Sequence, residues 1–251
     1  MYDIFRPATA RPNMRQNHGS VRASTVEVKR YFDEQAGRFP ETGGEAANFW
    51  QRAITGVLRR SLRLRFEKVF GRIGSLERRR ILDIGCGTGT YTVQAALVGA
   101  EAAVGIDLSR EMIQRATTRA DASRVTDRCR FMTVDFMEFQ LPESFDFVIA
   151  MGVMDYVADP AAFLERVVEL CSNTAFLSFP KAGGILAWQR KRRYRRRCPL
   201  FLYSRSEIGN LLAGIVGVKW TIESAARDWF VTIKIEGKES SESANLSQLG
   251  A

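Results

Sequence analysis

Hydrophobic positions along the middle of this chain alternate between two patterns. Short runs at 81–84, 103–107, 130–133, 145–150 and 174–179 have the length and flanking residues of buried strands. Between them, apolar residues recur three or four positions apart. This spacing predicts helices over 91–98 and 109–120, and a third from Pro160 with Phe163, Leu164, Val167, Val168 and Cys171 on one face. Ser109 suits an N-cap with Glu111 in the first turn, and Pro160 suits a first helical turn. Upstream, 26–73 reads as helical. In its second part Ile54, Val57, Leu58, Leu62, Phe66, Val69, Phe70 and Ile73 form the apolar face, with Arg59, Arg60, Arg63 and Arg65 opposite, in water. Downstream come a helix over 206–215 and two β-like runs, 218–224 and 229–235. Strand–helix alternation of this kind argues a mostly parallel sheet covered on both faces, with ligands collecting at the carboxyl ends of the strands.

The first strand opens into glycines at alternate positions, Gly85, Gly87 and Gly89, with Cys86 between the first two. Glycine lets a ligand approach the main chain closely, so the loop reads as part of a nucleotide-type pocket. A dinucleotide fingerprint would place its last glycine where Thr90 stands, which disfavours NAD. The next strand ends in Asp107, near the twenty-residue distance of a carboxylate that accepts ribose hydroxyls. Taken singly, such a loop is also an ordinary tight turn, and such an acid is also a helix cap. Their order along the chain is what points to a cofactor.

Four ordered segments between about 81 and 179 resemble the class I S-adenosylmethionine-dependent methyltransferases. They are the glycine loop with Asp83; Val104-Gly105-Ile106-Asp107-Leu108-Ser109; Val134-Asp135-Phe136; and Phe145-Asp146-Phe147-Val148-Ile149-Ala150-Met151. The resemblance implies an α/β, Rossmann-like fold: a mostly parallel seven-stranded sheet with helices on both faces and an antiparallel C-terminal hairpin. It implies S-adenosyl-L-methionine as cofactor, held by Asp83, Gly85, Cys86, Gly87, Gly89, Asp107, Leu108, Met112, Asp135, Phe136 and Met151. Phe136 reads either as an adenine wall or as core. Tyr31, in an N-terminal Tyr-Phe segment similar to one that covers the cofactor in small-molecule members, is a candidate lid.

Composition narrows the picture. The 251 residues suffice for one domain with embellishments, and 45% hydrophobic content is that of a globular chain. The expected divisions are a flexible basic leader (1–25), a helical cap (26–75), a core (76–236) with a basic substrate-side insertion at 180–205, and a disordered tail (237–251). Cys86, Cys129, Cys171 and Cys198 form no C-x-x-C pair, and the single histidine, His18, lies in the leader. A reducing, cytoplasmic setting without a metal site is therefore expected. No apolar run is long enough for a membrane span. The net charge is +9, and seven of the cations fall in 190–197. That run fits an anionic metabolite, an acidic lipid surface, or a solvated loop without partner. Nucleic acid is disfavoured, because Tyr194 alone interleaves the cations. Oligomeric state is not legible.

After the fourth strand the chain reads Met151-Gly152-Val153-Met154-Asp155-Tyr156, without the Asn/Asp-Pro-Pro-Tyr/Phe motif of the base- and amide-methylating branch. Asp155 and Tyr156 are the candidate catalytic residues, placed to orient an acceptor hydroxyl, with Asp155 as base. Local packing or a signal for the following helix would account for both equally. The reading is a small-molecule methyltransferase, acting at oxygen, on an anionic or membrane-associated substrate. The alternatives are an RNA methyltransferase using 190–197, or a non-catalytic cofactor-binding protein. The arrangement is similar to that of magnesium-protoporphyrin and ubiquinone-type O-methyltransferases, although the histidine often found after this strand in related enzymes is absent.

Overall fold

The computed structural model describes residues 26–30, 49–139, 144–183 and 199–236. The leader, the tail, Tyr31, His18, Cys198 and the basic run 190–197 lie outside the described residues. Seven strands form one sheet: β1 (Arg80–Ile84), β2 (Ala102–Asp107), β3 (Cys129–Thr133), β4 (Phe145–Ala150), β5 (Cys171–Pro180), β6 (Val218–Ala225) and β7 (Asp228–Ile235). Their order is β3-β2-β1-β4-β5-β7-β6. The first five pair in parallel, and β7 runs antiparallel between β5 and β6. The expected Rossmann-like sheet with its C-terminal hairpin is what the chain forms. Strand order reverses between β1 and β4, so their carboxyl ends flank the crevice where ligands bind in such sheets.

Alternation along the strands fills two cores. Leu82, Ile84, Val148, Ala150, Ala175, Leu177 and Phe179 face one side, beneath α4 (Pro160–Leu170) and α5 (Arg205–Ala213). Ile81, Phe147, Ile149 and Phe176 face the other, with Val69, Val93 and Ala120 from α1 (Phe49–Phe70), α2 (Thr90–Leu97) and α3 (Arg110–Ala122). Both sides of each central strand are dry, which is why these runs read as continuously apolar. Cys171 departs from expectation. It does not continue the apolar face of α4 but caps that helix in extended geometry and opens β5, with no loop between the two elements.

The face that α1 buries is also rotated from the expected one. Leu62 is 47% exposed, whereas Ser61, Arg65 and Val69 are buried at four-residue steps. Arg59, Arg60 and Arg63 are exposed as expected, but Arg65 is 5% exposed. The cause is a polar partner on the sheet. Arg65 Nη1 donates to Ser178 Oγ at 3.0 Å, and Arg65 Nε lies 3.8 Å from Asp228 Oδ2, which also accepts from the Ser61 hydroxyl. Asp228 is 2% exposed, so its carboxylate is held by these donors in place of water. On the same helix, Lys68 and its neighbour beyond the helix end, Arg72, both reach Glu223 of β6, at 2.6 and 2.8 Å.

Removing one member of a buried ion pair strands the other. Arg65→Ala should therefore lower unfolding stability by roughly 3 kcal/mol in denaturant titration. A loss under about 1 kcal/mol, the worth of a surface pair, would show that the Asp228 charge is met without Arg65.

Candidate active site

The glycine loop is built between two carboxylates. Helix α2 begins at Thr90 with Gly89 as N-cap, a residue that has no side chain to satisfy the first amides. Asp83, on β1 beneath the loop, supplies the missing acceptor. Its Oδ2 takes the Thr92 N–H at 3.2 Å and the Thr92 hydroxyl at 2.7 Å. Above, at the end of β2, Asp107 Oδ2 accepts the Gly87 N–H and Oδ1 the Ser109 N–H, each at 2.9 Å. The Cys86 N–H donates to Ile106 C=O at 3.0 Å, so the loop is tied to β2 by backbone as well.

Gly85, Gly87 and Gly89 all have left-handed φ, of 65, 52 and 73°. At Gly85 the requirement is double, because a Cβ there would lie 2.6 Å from Val153 Cγ2. That close approach seats the glycine loop against the loop that follows β4. At Gly87 a Cβ would meet nothing within 4 Å. Its open side is the space a ligand can use, and Asp107 stands beside it.

Burial sets the electrostatics beneath this space. Asp83 is 1% exposed, and desolvation pushes its carboxyl up to about 7, against the lowering effect of the Thr92 bonds. The Cys86 thiol is pushed well above its ordinary range, first by burial and then by the charges of Asp83 and Asp107, so it stays protonated and inert.

The remaining expected site residues divide. The Val134 N–H donates to Asp107 C=O at 3.0 Å, bringing 134–136 to the end of β2. Asp135 is half-buried there, its Oδ1 accepting the Met137 N–H at 2.9 Å. Leu108 and Met151 are half-buried, and Met112 is buried with its N–H on Ser109 Oγ at 3.4 Å. Phe136, read either as an adenine wall or as core, faces the core side. It is buried in the core against Phe163 of α4, with ring centroids 4.8 Å apart, because the turn that follows β3 directs it onto that helix. Asp83 acts on the loop from β1, through Thr92.

Asp155 and Tyr156 lie in the turn after β4, with the Tyr156 N–H on Val153 C=O at 2.9 Å. Asp155 is buried, and its C=O accepts the Phe201 N–H at 2.8 Å. Neither caps the following helix. That role belongs to Asp159, whose side chain accepts the Ala162 N–H at 3.1 Å. Thr92 and Ser178 shape the site without having been anticipated. Thr92 was signalled only by an acid on a buried strand ahead of a capless helix. Ser178 accepts both the Arg65 Nη1 donor and, at 2.8 Å, the Gly152 N–H, linking α1 to the end of β4. Among the described residues, no cluster of His, Cys, Asp or Glu is placed to hold a metal ion, and no helix is long and apolar enough to cross a membrane.

Comparison with known proteins agrees with this geometry. Residues 76–193 match a family model described as a methyltransferase domain. Ubiquinone biosynthesis O-methyltransferase of Rhodopseudomonas palustris strain TIE-1 is 36% identical over 113 residues, covering 45% of this chain and 44% of that protein. The namesake from Neisseria meningitidis serogroup C is 33% identical over 111 residues, covering 44% of each. The chain thus matches less than half the length of these curated relatives. Magnesium protoporphyrin IX methyltransferase from Synechocystis PCC 6803, solved with bound S-adenosylhomocysteine, superposes with a TM-score of 0.63 at 20% identity, covering 85% of this chain and all of that one. Geranyl diphosphate C-methyltransferase from Streptomyces coelicolor A3(2) superposes with a TM-score of 0.61 at 14% identity, covering 85% and 97%. Residues 76–193 thus match a methyltransferase domain, and the two solved structures that share the fold hold S-adenosylhomocysteine, the demethylated form of S-adenosylmethionine. This chain's own residues fit that cofactor: an open glycine face at Gly87, and a strand-end carboxylate fixed beside it by two amides.

The raised Asp83 carboxyl gives a pH signature. Between its unfolded value of 3.8 and about 7 the folded state holds a proton that the unfolded chain has released, so this group's stabilisation is full below pH 3.8 and lost as pH rises through 7. Asp83→Asn keeps an acceptor for Thr92 without the charge. Measured by denaturant at pH 4.5 and 7.5, the variant should gain on wild type by roughly 3 kcal/mol between the two. An identical pH slope in both proteins would contradict the buried-carboxyl assignment.

Proposed function

We propose that this protein transfers a methyl group from S-adenosylmethionine to a small-molecule acceptor, at oxygen. The observation that carries the reading is Asp107, whose two oxygens are oriented by the amides of Gly87 and Ser109 at the carboxyl end of β2, beside the switch point of the sheet. In this reading Asp107 takes the ribose hydroxyls, the 134–136 turn with Asp135 flanks the adenine, and the backbone around Gly85–Gly89 meets the amino-acid end. Met151 and Gly152 border the same end from β4. Bound there, the cofactor supplies a methyl carbon on a sulfonium, open to in-line displacement by a lone pair.

The chain's contribution is alignment and exclusion of water. The close seating of Gly85 on Val153 fixes the distance between the cofactor loop and the turn that carries Asp155. Through Ser178, Arg65 fixes Gly152, so the cap helix takes part in setting that turn. This link supports assigning 26–75 as a cap on a core of 76–236, with 180–205 on the substrate side. An anionic or membrane-associated acceptor is supported by the basic run 190–197. A reducing, cytoplasmic location is supported by the thiols of Cys86, Cys129 and Cys171, which form no disulfide among the described residues. The named relatives make oxygen the favoured acceptor element.

Labelled methyl from S-adenosylmethionine, offered with cell extract later divided into lipid, metabolite and RNA fractions, should appear in a small-molecule or lipid product. Label confined to RNA would overturn the proposal. Asp107→Ala should weaken S-adenosylhomocysteine binding at least a hundredfold, about 2.7 kcal/mol, by calorimetry on folded protein. Unchanged affinity would remove Asp107 from the ribose site.

A further inference from the structure

The outward face of α1 takes no part in the cofactor site or in docking the helix. Ser61, Arg65 and Val69 turn toward the sheet at four-residue steps. At about 100° per residue, Arg59, Arg60 and Arg63 fall on the side away from that stripe, and all three are exposed. Glu67 lies 3.5 Å from Arg63, with both side chains more than half in water, so this pair is weak. Arg59 and Arg60 meet no acid among the described residues. Leu62, on the flank of the same face, is 47% exposed.

The helix carries this face to the ligand end of the sheet. The Ser61 hydroxyl donates to Asp228, which opens β7 opposite Pro180 at the carboxyl end of β5. Arg65 meets Ser178, which also holds the Gly152 amide after β4. Past the other end of the helix, Arg72 Nη1 reaches Thr232 along β7 at 3.5 Å, and Ile73 and Leu76 join the core around Ile81 of β1. Arg59 and Arg60 precede Ser61, so they stand on the rim from which the crevice between β1 and β4 opens.

We propose that this face docks on an anionic lipid surface, with Arg59, Arg60 and Arg63 on headgroup phosphates and Leu62 entering the acyl boundary. Guanidinium groups take phosphate oxygens through paired N–H donors, and each cation beside an anionic leaflet adds to the attraction. Three cations and one apolar side chain make a reversible contact. A lipid surface fits better than nucleic acid, which calls for aromatic platforms. The nearest ring, Phe66, is half-buried against Phe70 and Tyr91. One consequence rests on the methyltransferase reading: an acceptor dissolved in the bilayer would reach the crevice without crossing water.

The test is co-sedimentation of the full chain with phosphatidylcholine vesicles, with and without phosphatidylglycerol, at physiological salt. Wild type should bind only the anionic vesicles. Changing Arg59, Arg60 and Arg63 together to Gln should weaken that binding about tenfold or more, whereas Lys at the same three positions should keep it within about twofold. A control with equal net charge changes Arg78, Arg124 and Arg128 to Gln. These are exposed, and the Arg128 C=O holds the Ala103 N–H at the amino end of β2, away from the rim. The control should also stay within about twofold. All variants keep the basic run 190–197 and should unfold at the wild-type midpoint. Leu62→Gln leaves every charge in place and should weaken binding severalfold, which keeps the test decisive if the triple variant unfolds. Wild type that binds neither vesicle or both equally, a folded Gln variant or Leu62→Gln with undiminished binding, an equal loss in the control, or RNA bound through this face in preference to vesicles would each overturn the proposal. Vesicle binding is read without S-adenosylmethionine, so its failure leaves the methyltransferase reading standing, and failure of methyl transfer leaves this surface standing.

Discussion

The buried carboxylate of Asp83 is the constraint on which the glycine loop depends. A helix that starts directly after a glycine turn has amides without partners. A side chain at Gly89 that could cap them would crowd Ala116 and Phe131, whose atoms stand 3.0 and 3.2 Å from where its Cβ would lie, on a backbone held at φ 73°. The cap must therefore come from elsewhere, and β1 delivers it from below through Thr92. With the helix start fixed, Asp107 can hold Gly87 from the neighbouring strand, and the loop's open side becomes a surface of defined shape. A carboxylate in so dry a place carries a desolvation cost, visible in its raised ionisation.

The second organising contact crosses the sheet. Arg65, Ser178, Asp228 and the Gly152 amide join the cap helix to three strand ends on one face. Gly152, at φ 81°, turns the chain out of β4 toward Asp155, and a Cβ there would come within 3.4 Å of Arg65 Nη1. The same ion-paired cluster that docks the helix thus shapes the turn that carries Asp155. Stability and site geometry are set by shared atoms, so variants in this cluster are expected to act on both.

Much of this was legible in the sequence, for physical reasons that differ by element. Strands buried on both faces announce themselves as apolar runs, and the glycine loop with Asp107 is a local pattern whose chemistry needs no distant partner. What was not legible rests on long-range pairing. Periodicity assigns an arginine to water, and nothing near Arg65 in sequence signals Ser178, 113 residues away. Phe136 likewise follows an acid in a turn, and only the position of Phe163 decides that it packs inward. Cys171 reads as the last residue of a helical stripe because a strand that begins without a loop leaves no punctuation.

The crevice between β1 and β4 is the proposed site for S-adenosylmethionine. Calorimetric titration of the full chain with S-adenosylmethionine, S-adenosylhomocysteine and NAD in parallel tests it most directly. Saturable one-to-one binding of both sulfur ligands, and none of NAD, is expected. Binding of NAD, or of neither sulfur ligand by protein that unfolds cooperatively, would contradict it.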